Sequence, residues 1–257
     1  MESPLFSIIT VTYNAEHTIE RTLKSVASQT FEDYEHIVID GASTDATLDI
    51  ISKAPDRNKI CLLSEKDNGI YDAMNKGIGR STGQYLIFLN SGDKFHSAET
   101  LEKIASVINE NGNPDIVYGQ TDLVADDGRF VAKRHLTAPK ELKLQDFANG
   151  MLVCHQAFIV RKEIAPYYSL KYKYSADYEW CIMCLMHSQK NILIDEPLID
   201  YLIEGQTTLN RKASLRERFD IMSTYFGFWR TAWKHIGFIG RYRRHNKEVK
   251  KGLRDIK

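Results

Sequence analysis

Four short polar clusters in the first half of the chain carry the side chains best suited to chemistry. They are Thr12-Tyr13-Asn14, Asp40 to Asp45, Glu65 to Gly69 and Asn90 to Asp93. Carboxylates predominate, and a carboxylate accepts hydrogen bonds from sugar hydroxyls or from a base edge. A carboxylate beside a diphosphate repels it unless a divalent cation lies between them, and Mg²⁺ prefers one or two carboxylates plus phosphate oxygens. Asp93, in a tight turn after an apolar segment, suits that task.

Two familiar nucleotide signatures are absent from the sequence. No GxGxxG follows the first apolar segment and no GxxxxGK[ST] occurs, so a dinucleotide fold and a P-loop hydrolase lose their main support. The cysteines do not predict a metal centre either. Cys181 and Cys184 form a CxxC inside a predicted helix without a second pair at zinc spacing, which favours buried thiols. Four sparse cysteines predict a reducing, cytoplasmic compartment.

The polar clusters follow four apolar segments rich in Ile and Val, at 5–13, 35–40, 59–64 and 84–90. Polar stretches with helical spacing separate these segments, which predicts an α/β fold with a mostly parallel central sheet flanked by helices. The carboxyl ends of such strands meet at one edge, so the four clusters are expected to form one site. Farther along, the pattern predicts a hairpin around Asp126-Asp127-Gly128 and a helix over about 177–189.

Together these motifs resemble the nucleotide-sugar half of family 2 glycosyltransferases. The resemblance rests on TVTYN (10–14), DGASTD (40–45), SEKDNGIYDAMNKG (64–77) and LNSGD (89–93), and it covers about residues 5–205. It implies the GT-A fold and the inverting transfer of a sugar from a nucleoside-diphosphate sugar, with Mg²⁺ or Mn²⁺. Uridine is the commonest donor base in such enzymes, and guanosine stays open. The implied acceptor is a glycan or a lipid-linked glycan of cell-surface polysaccharide biosynthesis.

The resemblance also implies roles for individual residues of the donor half, 1–115. By position, Val11 and Tyr13 border the base with Tyr13 stacking on it, Asp40 contacts base or ribose, and Asp67 and Lys76 line the nucleotide pocket. Asn90, Ser91 and Gly92 complete the pocket beside Asp93, which matches the metal-binding acid of the family's DxD-type motif. The sequence has a single acid in Ser91-Gly92-Asp93, which predicts a lower metal affinity, and Gly41 stands where many members have a second acid.

The second half, 116–213, is expected to bind the acceptor and to supply the catalytic base. Taken alone, Ser175 to Glu179 is typical of a helix start with a cap and first-turn acids. Downstream of the donor half it resembles the family's ED-type motif, which implies Asp177 as general base and Glu179 as the second choice. His155-Gln156 resembles a pair found on the acceptor side of such enzymes. Gln206-Thr207-Thr208 matches a small polar loop near the diphosphate.

The C-terminal region 214–257 differs in charge from the rest of the chain. It carries twelve Lys/Arg and four acidic residues, although the whole chain has no net charge, and aromatic residues are interleaved with the bases. We predict two helices there, separated near Gly237 and Gly240. This composition fits helices on an anionic membrane surface, which would place the protein peripherally on the inner face of the cell membrane. Helices packed back on the domain are the alternative, and no nucleic-acid-binding module accompanies the bases.

Two other functions remain open from the sequence. A non-catalytic nucleotide- or glycan-binding protein of the same fold is favoured by the reduced acid motif at Asp93 and disfavoured by Asp177. A sugar nucleotidyltransferase would require a Gly-rich basic loop after the first strand, and the chain has Asn14-Ala15-Glu16 there.

Overall fold

The first half of the chain forms the alternating strands and helices that its apolar periodicity predicts. The computed structural model describes residues 3–55, 57–203 and 210–235. The strands are β1 (Phe6–Thr12), β2 (Tyr34–Asp40), β3 (Ile60–Ser64) and β4 (Tyr85–Phe88), and the helices are α1 (Ile19–Ala27), α2 (Thr47–Ser52) and α3 (Ile70–Arg80). Every residue of β1 and β4 is buried, as expected of strands covered on both faces.

The second half extends the same sheet. Its elements are β5 (Lys94–Phe95), α4 (Thr100–Glu110), β6 (Ile116–Val124), β7 (Phe130–Lys133), β8 (Phe158–Arg161), α5 (Ala176–His187) and β9 (Asn191–Leu202). The strand order is β3-β2-β1-β4-β8-β6-β9-β5, with β7 paired to β6. Strands β1 to β4 pair in parallel as predicted, whereas β8 pairs antiparallel with both β4 and β6, so the complete sheet is mixed. The two halves therefore share one sheet.

The predicted hairpin and the helix near 177–189 are both present. β6 and β7 pair antiparallel around a turn in which Gly128 has φ +84°, a conformation that favours glycine. Helix α5 contains Cys181 and Cys184, which are fully buried free thiols, as the sequence suggested. No helix in the described part of the chain is long and apolar enough to cross a membrane.

The C-terminal region begins with a helix that packs back on the domain. Helix α6 (Arg211–Phe226) ends at Gly227, and α7 covers 228–235. Ile221, Met222 and Phe226 of α6 are buried in the same core as Tyr178 and Trp180 of α5. The structure therefore shows that α6 packs on the domain, as in the alternative that the sequence left open. The predicted break near Gly237 and Gly240, and the polar loop Gln206-Thr207-Thr208, lie outside the described residues.

Candidate active site

The loops after β1 and β2 interlock at the carboxyl edge of the sheet. The Asn14 N–H donates to Ser43 Oγ at 2.8 Å, and the Thr44 N–H donates to Asn14 Oδ1 at 2.9 Å. Asn14 and Ala42 adopt φ +47° and +62°, a left-handed conformation that is unfavourable for residues other than glycine. Strain of this kind is held by surrounding contacts and concentrates at functional loops.

Tyr13, Gly41 and Asp67 lie together beside these loops. A Cβ added to Gly41 would lie 2.6 Å from Asp67 Oδ2 and 3.3 Å from Tyr13 Cδ2, so a larger residue at 41 would require these side chains to move. The Tyr13 side chain is 64% exposed, which leaves its ring open for stacking. Lys76 Nζ donates to the Lys66 carbonyl and pairs with Glu65, each at 2.9 Å, and so fixes the loop that carries Asp67.

Asp40 is enclosed by hydrogen bonds to neighbouring residues. Its side chain is fully buried, and its carboxylate accepts hydrogen bonds from the Ser43 N–H at 3.0 Å and from Ser64 Oγ at 2.6 Å. The Ser43 hydroxyl donates to the second oxygen. The carboxylate therefore holds the β2 loop in shape beside the cradle formed by Tyr13, Gly41 and Asp67, and its contact with base or ribose stays a prediction.

Asp93 lies in the tight turn after β4, where it is enclosed by two distant segments. Its Oδ2 accepts from Gln156 Nε2 at 2.8 Å and its Oδ1 accepts from the Leu202 N–H at 3.0 Å. Burial raises the pKa of this carboxyl to about 7. The preceding Gly92 has φ +100°, and a Cβ there would lie 2.9 Å from Leu202 Cδ2, so glycine is required. Val11, buried in β1, accepts at its carbonyl from Ser91 Oγ at 3.3 Å.

The donor atoms of this turn fit a hard divalent cation. Asn90 Oδ1 is buried in the same turn and has no hydrogen-bond partner. A carboxylate plus an amide oxygen, with no sulfur or imidazole ligand, is the set that suits Mg²⁺ or Mn²⁺ with phosphate oxygens completing the shell. Each oxygen of Asp93 keeps a lone pair beyond its present hydrogen bond. The turn thus has the chemistry of the predicted metal site with a single acid.

A second group of metal-ligating side chains includes one residue of β9. One ligand atom each from His96, Asp122 and Asp200 lie within 4.8 Å of one another. Asp200 already pairs with Lys94 at 2.8 Å and with His96 at 2.7 Å. The described residues therefore offer two places for a cation, the Asp93 turn and this second group.

Asp177 is brought to the donor half by a hydrogen bond across 106 residues. Tyr71 Oη, at the start of α3, donates to Asp177 Oδ1 at 3.0 Å. Burial first, and the Asp177 charge second, raise the pKa of Tyr71 well above its ordinary value, so the phenol stays a proton donor. Asp177 is half-buried in the first turn of α5, where the helix dipole favours a negative charge.

Glu179 faces away from this group. Residues two apart on a helix point about 200° apart, and Glu179 Oε1 accepts from Tyr225 Oη of α6 at 3.1 Å. Burial raises the pKa of Glu179, with that hydrogen bond opposing the shift. Of the two predicted acids, the geometry favours Asp177 as the base.

His155 and Gln156 are enclosed instead of lining an open acceptor surface. His155 is 3% exposed, and its ring contacts Phe88, Trp180 and Tyr168, whose hydroxyl hydrogen-bonds to Nε2. Burial lowers the pKa of His155 to about 4, so the imidazole is neutral at pH 7. Gln156 is 5% exposed and contacts Asp93. This geometry favours positioning roles over the predicted acceptor contact.

Several residues near the two acids gave no signal in the sequence. Burial raises the pKa of Tyr201, and the charges of Asp93 and Asp177 raise it further. Arg218 of α6 brings positive charge, which lowers the pKa of Tyr71 and of Tyr178 against burial, and its Nε is buried without a partner. Of these three residues, only Tyr71 lies inside one of the sequence motifs, and that motif does not indicate that Tyr71 contacts Asp177.

Comparison with known proteins agrees with this geometry. Residues 7–167 match the family model "Glycosyl transferase family 2". A "PGL/p-HBAD biosynthesis glycosyltransferase" of Mycobacterium tuberculosis is 36% identical over 190 residues, which is 72% of this chain and 71% of the relative. S. aureus TarS 1–349 in complex with UDP-GlcNAc aligns with a TM-score of 0.71 and 20% identity, over 94% of this chain and 72% of TarS.

A second solved structure shares the same fold. The mannosyltransferase PcManGT from Pyrobaculum calidifontis, in complex with GDP-Man and Mn²⁺, aligns with a TM-score of 0.65 and 15% identity. The alignment covers 99% of this chain and 75% of that protein. At these identities the two structures show the fold alone, and they agree with the GT-A architecture expected from the motifs.

Proposed function

The chain belongs to glycosyl transferase family 2 and is a glycosyltransferase, and we propose that it is an inverting enzyme that uses a nucleoside-diphosphate sugar, with UDP as the nucleotide. The proposed acceptor is a glycan or lipid-linked glycan of cell-surface polysaccharide biosynthesis. The similarity to a relative named for PGL/p-HBAD biosynthesis supports an acceptor of this class. The other two functions left open by the sequence lose support, because the family match covers the donor half and most of the second half.

One observation carries the mechanism: the Tyr71–Asp177 hydrogen bond joins an acid of the second half to the donor edge of the sheet. An inverting transfer needs a carboxylate that takes the proton of the acceptor hydroxyl while its oxygen attacks the anomeric carbon opposite the leaving diphosphate. Asp177 is half-buried and oriented by Tyr71, which suits it to this step. General-base help of this kind contributes roughly 10²–10⁴ in rate.

The donor would bind along the cradle of Tyr13, Gly41 and Asp67, with the base stacked on the open Tyr13 ring. Asp93 and Asn90 would hold the divalent cation. When bound, that cation offsets the negative charge on the departing nucleoside diphosphate. Arg218 adds positive charge near Tyr71 and Asp177, which favours an anion between the two halves of the site.

The first experiment is thermal unfolding with UDP and with GDP, each with and without Mn²⁺. A ligand at about a hundred times its Kd stabilises the folded state by about 2.7 kcal/mol. A Mn²⁺-dependent rise in Tm with UDP that exceeds the rise with GDP supports the proposed donor. A larger rise with GDP overturns the choice of base.

Turnover is tested separately by the release of UDP from UDP-sugars, in wild type and in Asp177→Asn. The variant should keep the UDP-dependent rise in Tm and lose turnover by about 10²-fold or more. Wild-type turnover in this variant would refute the assignment of the base. Asp200→Asn is the matched control for the metal, because it disrupts the second ligand group and leaves Asp93 intact. If Asp200→Asn abolishes the Mn²⁺ effect and Asp93→Asn does not, the cation lies at the second group of His96, Asp122 and Asp200.

A further inference from the structure

The two helices over 211–235 present an apolar surface that is exposed among the described residues. Leu215, Phe228, Trp229 and Trp233 are 47%, 53%, 83% and 79% exposed. Phe219 joins them, with its ring 5.6 Å from Phe228, and Phe228 lies 5.3 Å from Trp229. We call these five residues the aromatic band. Two of the three tryptophans of the chain belong to it, and burying them in water-free surroundings would be strongly favourable.

The helix that carries the tryptophans is firmly attached on its other side. Thr231 of α7 is 1% exposed, and Arg230 donates to Gln145 Oε1 at 2.7 Å. Lys234 donates to Asn149 Oδ1. The tryptophans are therefore exposed because α7 holds them outward from the described part of the domain.

Two exposed basic residues lie near the aromatic band in the described part of the chain. Lys212 and Arg216 are exposed on α6, one turn or less from Leu215. In the sequence, residues 241–257 add eight Lys/Arg and only two acidic residues. Tryptophan is enriched at the headgroup level of bilayers, and basic residues next to such a surface are attracted by anionic lipids.

We propose that the aromatic band inserts into the headgroup region of an anionic bilayer and holds the protein on that surface. A second copy of the chain is a poorer occupant, because pairing two bands would bring the same Lys and Arg residues together and like charges across an interface are unfavourable. The binding is peripheral, since the band is one face of two helices. α6 also packs against α5, so the band is attached to the element that carries Asp177.

Vesicle binding tests this proposal without any donor, acceptor or turnover, so it is independent of the proposed function. Full-length protein is mixed with vesicles of phosphatidylglycerol and phosphatidylcholine, and with vesicles of phosphatidylcholine alone, and the bound fraction is measured by sedimentation. Tryptophan fluorescence is recorded in parallel. Trp180 is already fully buried, so a shift to shorter wavelength reports Trp229 and Trp233.

We expect binding to the anionic vesicles that is about tenfold or more stronger than to neutral ones and that weakens at high salt. Trp229→Ala combined with Trp233→Ala should reduce that binding about tenfold or more, with an unchanged Tm because both side chains are exposed. Phe130→Ala is the matched control, since Phe130 is 55% exposed on β7 outside the band. The control should bind like wild type.

Three results would overturn the proposal. The first is no binding to anionic vesicles. The second is equal binding by the double variant and the wild type, which would assign the binding to the basic residues alone. The third is a concentration-dependent dimer that the double variant abolishes while vesicles do not bind, which would identify a second copy as the occupant of the band.

Discussion

Replacing Tyr71 by Phe removes one oxygen atom and, with it, the hydrogen bond of 3.0 Å that Asp177 Oδ1 accepts. The ring would keep its place, because Tyr71 is 7% exposed and stacks on Tyr168 with ring centroids 5.6 Å apart. The substitution therefore changes the environment of Asp177 without creating a cavity of any size.

The magnitude follows from the charge on the acceptor. A hydrogen bond to a charged group contributes about 1.5–3 kcal/mol, roughly 10- to 150-fold in an equilibrium or a rate. In the wild type this hydrogen bond fixes the direction of the carboxylate. Without it, kcat should fall about tenfold or more, while the UDP-dependent rise in Tm should stay the same.

The assay is UDP release from UDP-sugars. Tyr168→Phe is the matched control, because its hydroxyl contacts His155 and its ring occupies the same aromatic stack. Control and variant should show the same UDP-dependent rise in Tm. The control should lose less turnover than Tyr71→Phe, because its hydroxyl hydrogen-bonds to His155 and not to Asp177.

A Tyr71→Phe variant with the wild-type kcat would refute the reasoning. A fall in kcat accompanied by loss of the UDP-dependent rise in Tm would also refute it, because the hydroxyl would then act on donor binding or on folding and not on the orientation of the base.

Three further substitutions give separate tests. Glu179→Gln should leave the pH profile of kcat unchanged, since this side chain faces Tyr225, and a loss of turnover as large as that of Asp177→Asn would reverse the assignment of the base. Gly92→Ala should lower the free energy of unfolding by about 1–3 kcal/mol, measured by denaturant titration, because its φ is +100° and a Cβ would meet Leu202; an unchanged stability would contradict the strain. Burial lowers the pKa of His36 to about 4, so between pH 6.5 and pH 4 the unfolded chain binds a proton at His36 and the folded chain does not. Stability is therefore lost as pH falls from 6.5 to 4. His36→Gln should therefore reduce the loss of stability over that range by about 3 kcal/mol, and an unchanged acid dependence would show that His36 does not titrate as inferred.

The donor half could be predicted because its signals are local. The strands β1 to β4 are predicted by Ile- and Val-rich segments that alternate with stretches of helical periodicity. The loops that follow parallel strands all lie at one edge of the sheet, whatever their sequence. Gly92 could be singled out for the same reason, since a positive φ strongly favours glycine at one position.

The roles of side chains inside the site were less predictable. Asp40 and Asp67 both follow strands and both carry carboxylates, but Asp40 is fully buried and bonded to its own loop whereas Asp67 faces the Tyr13–Gly41 cradle. Burial depends on how neighbouring loops close over a residue, and the residue type alone does not specify it.

The sequence by itself determined the α/β order, the loops of the donor site and the two acids available as a base, because each depends on residues a few positions apart. Only the tertiary structure decided which groups meet. Tyr71 and Asp177 are 106 residues apart, and Asp93 reaches Gln156 across 63 residues and Leu202 across 109. Such contacts depend on how the second half packs onto the shared sheet. Helical or strand periodicity describes residues a few positions apart and does not indicate which distant residues come into contact.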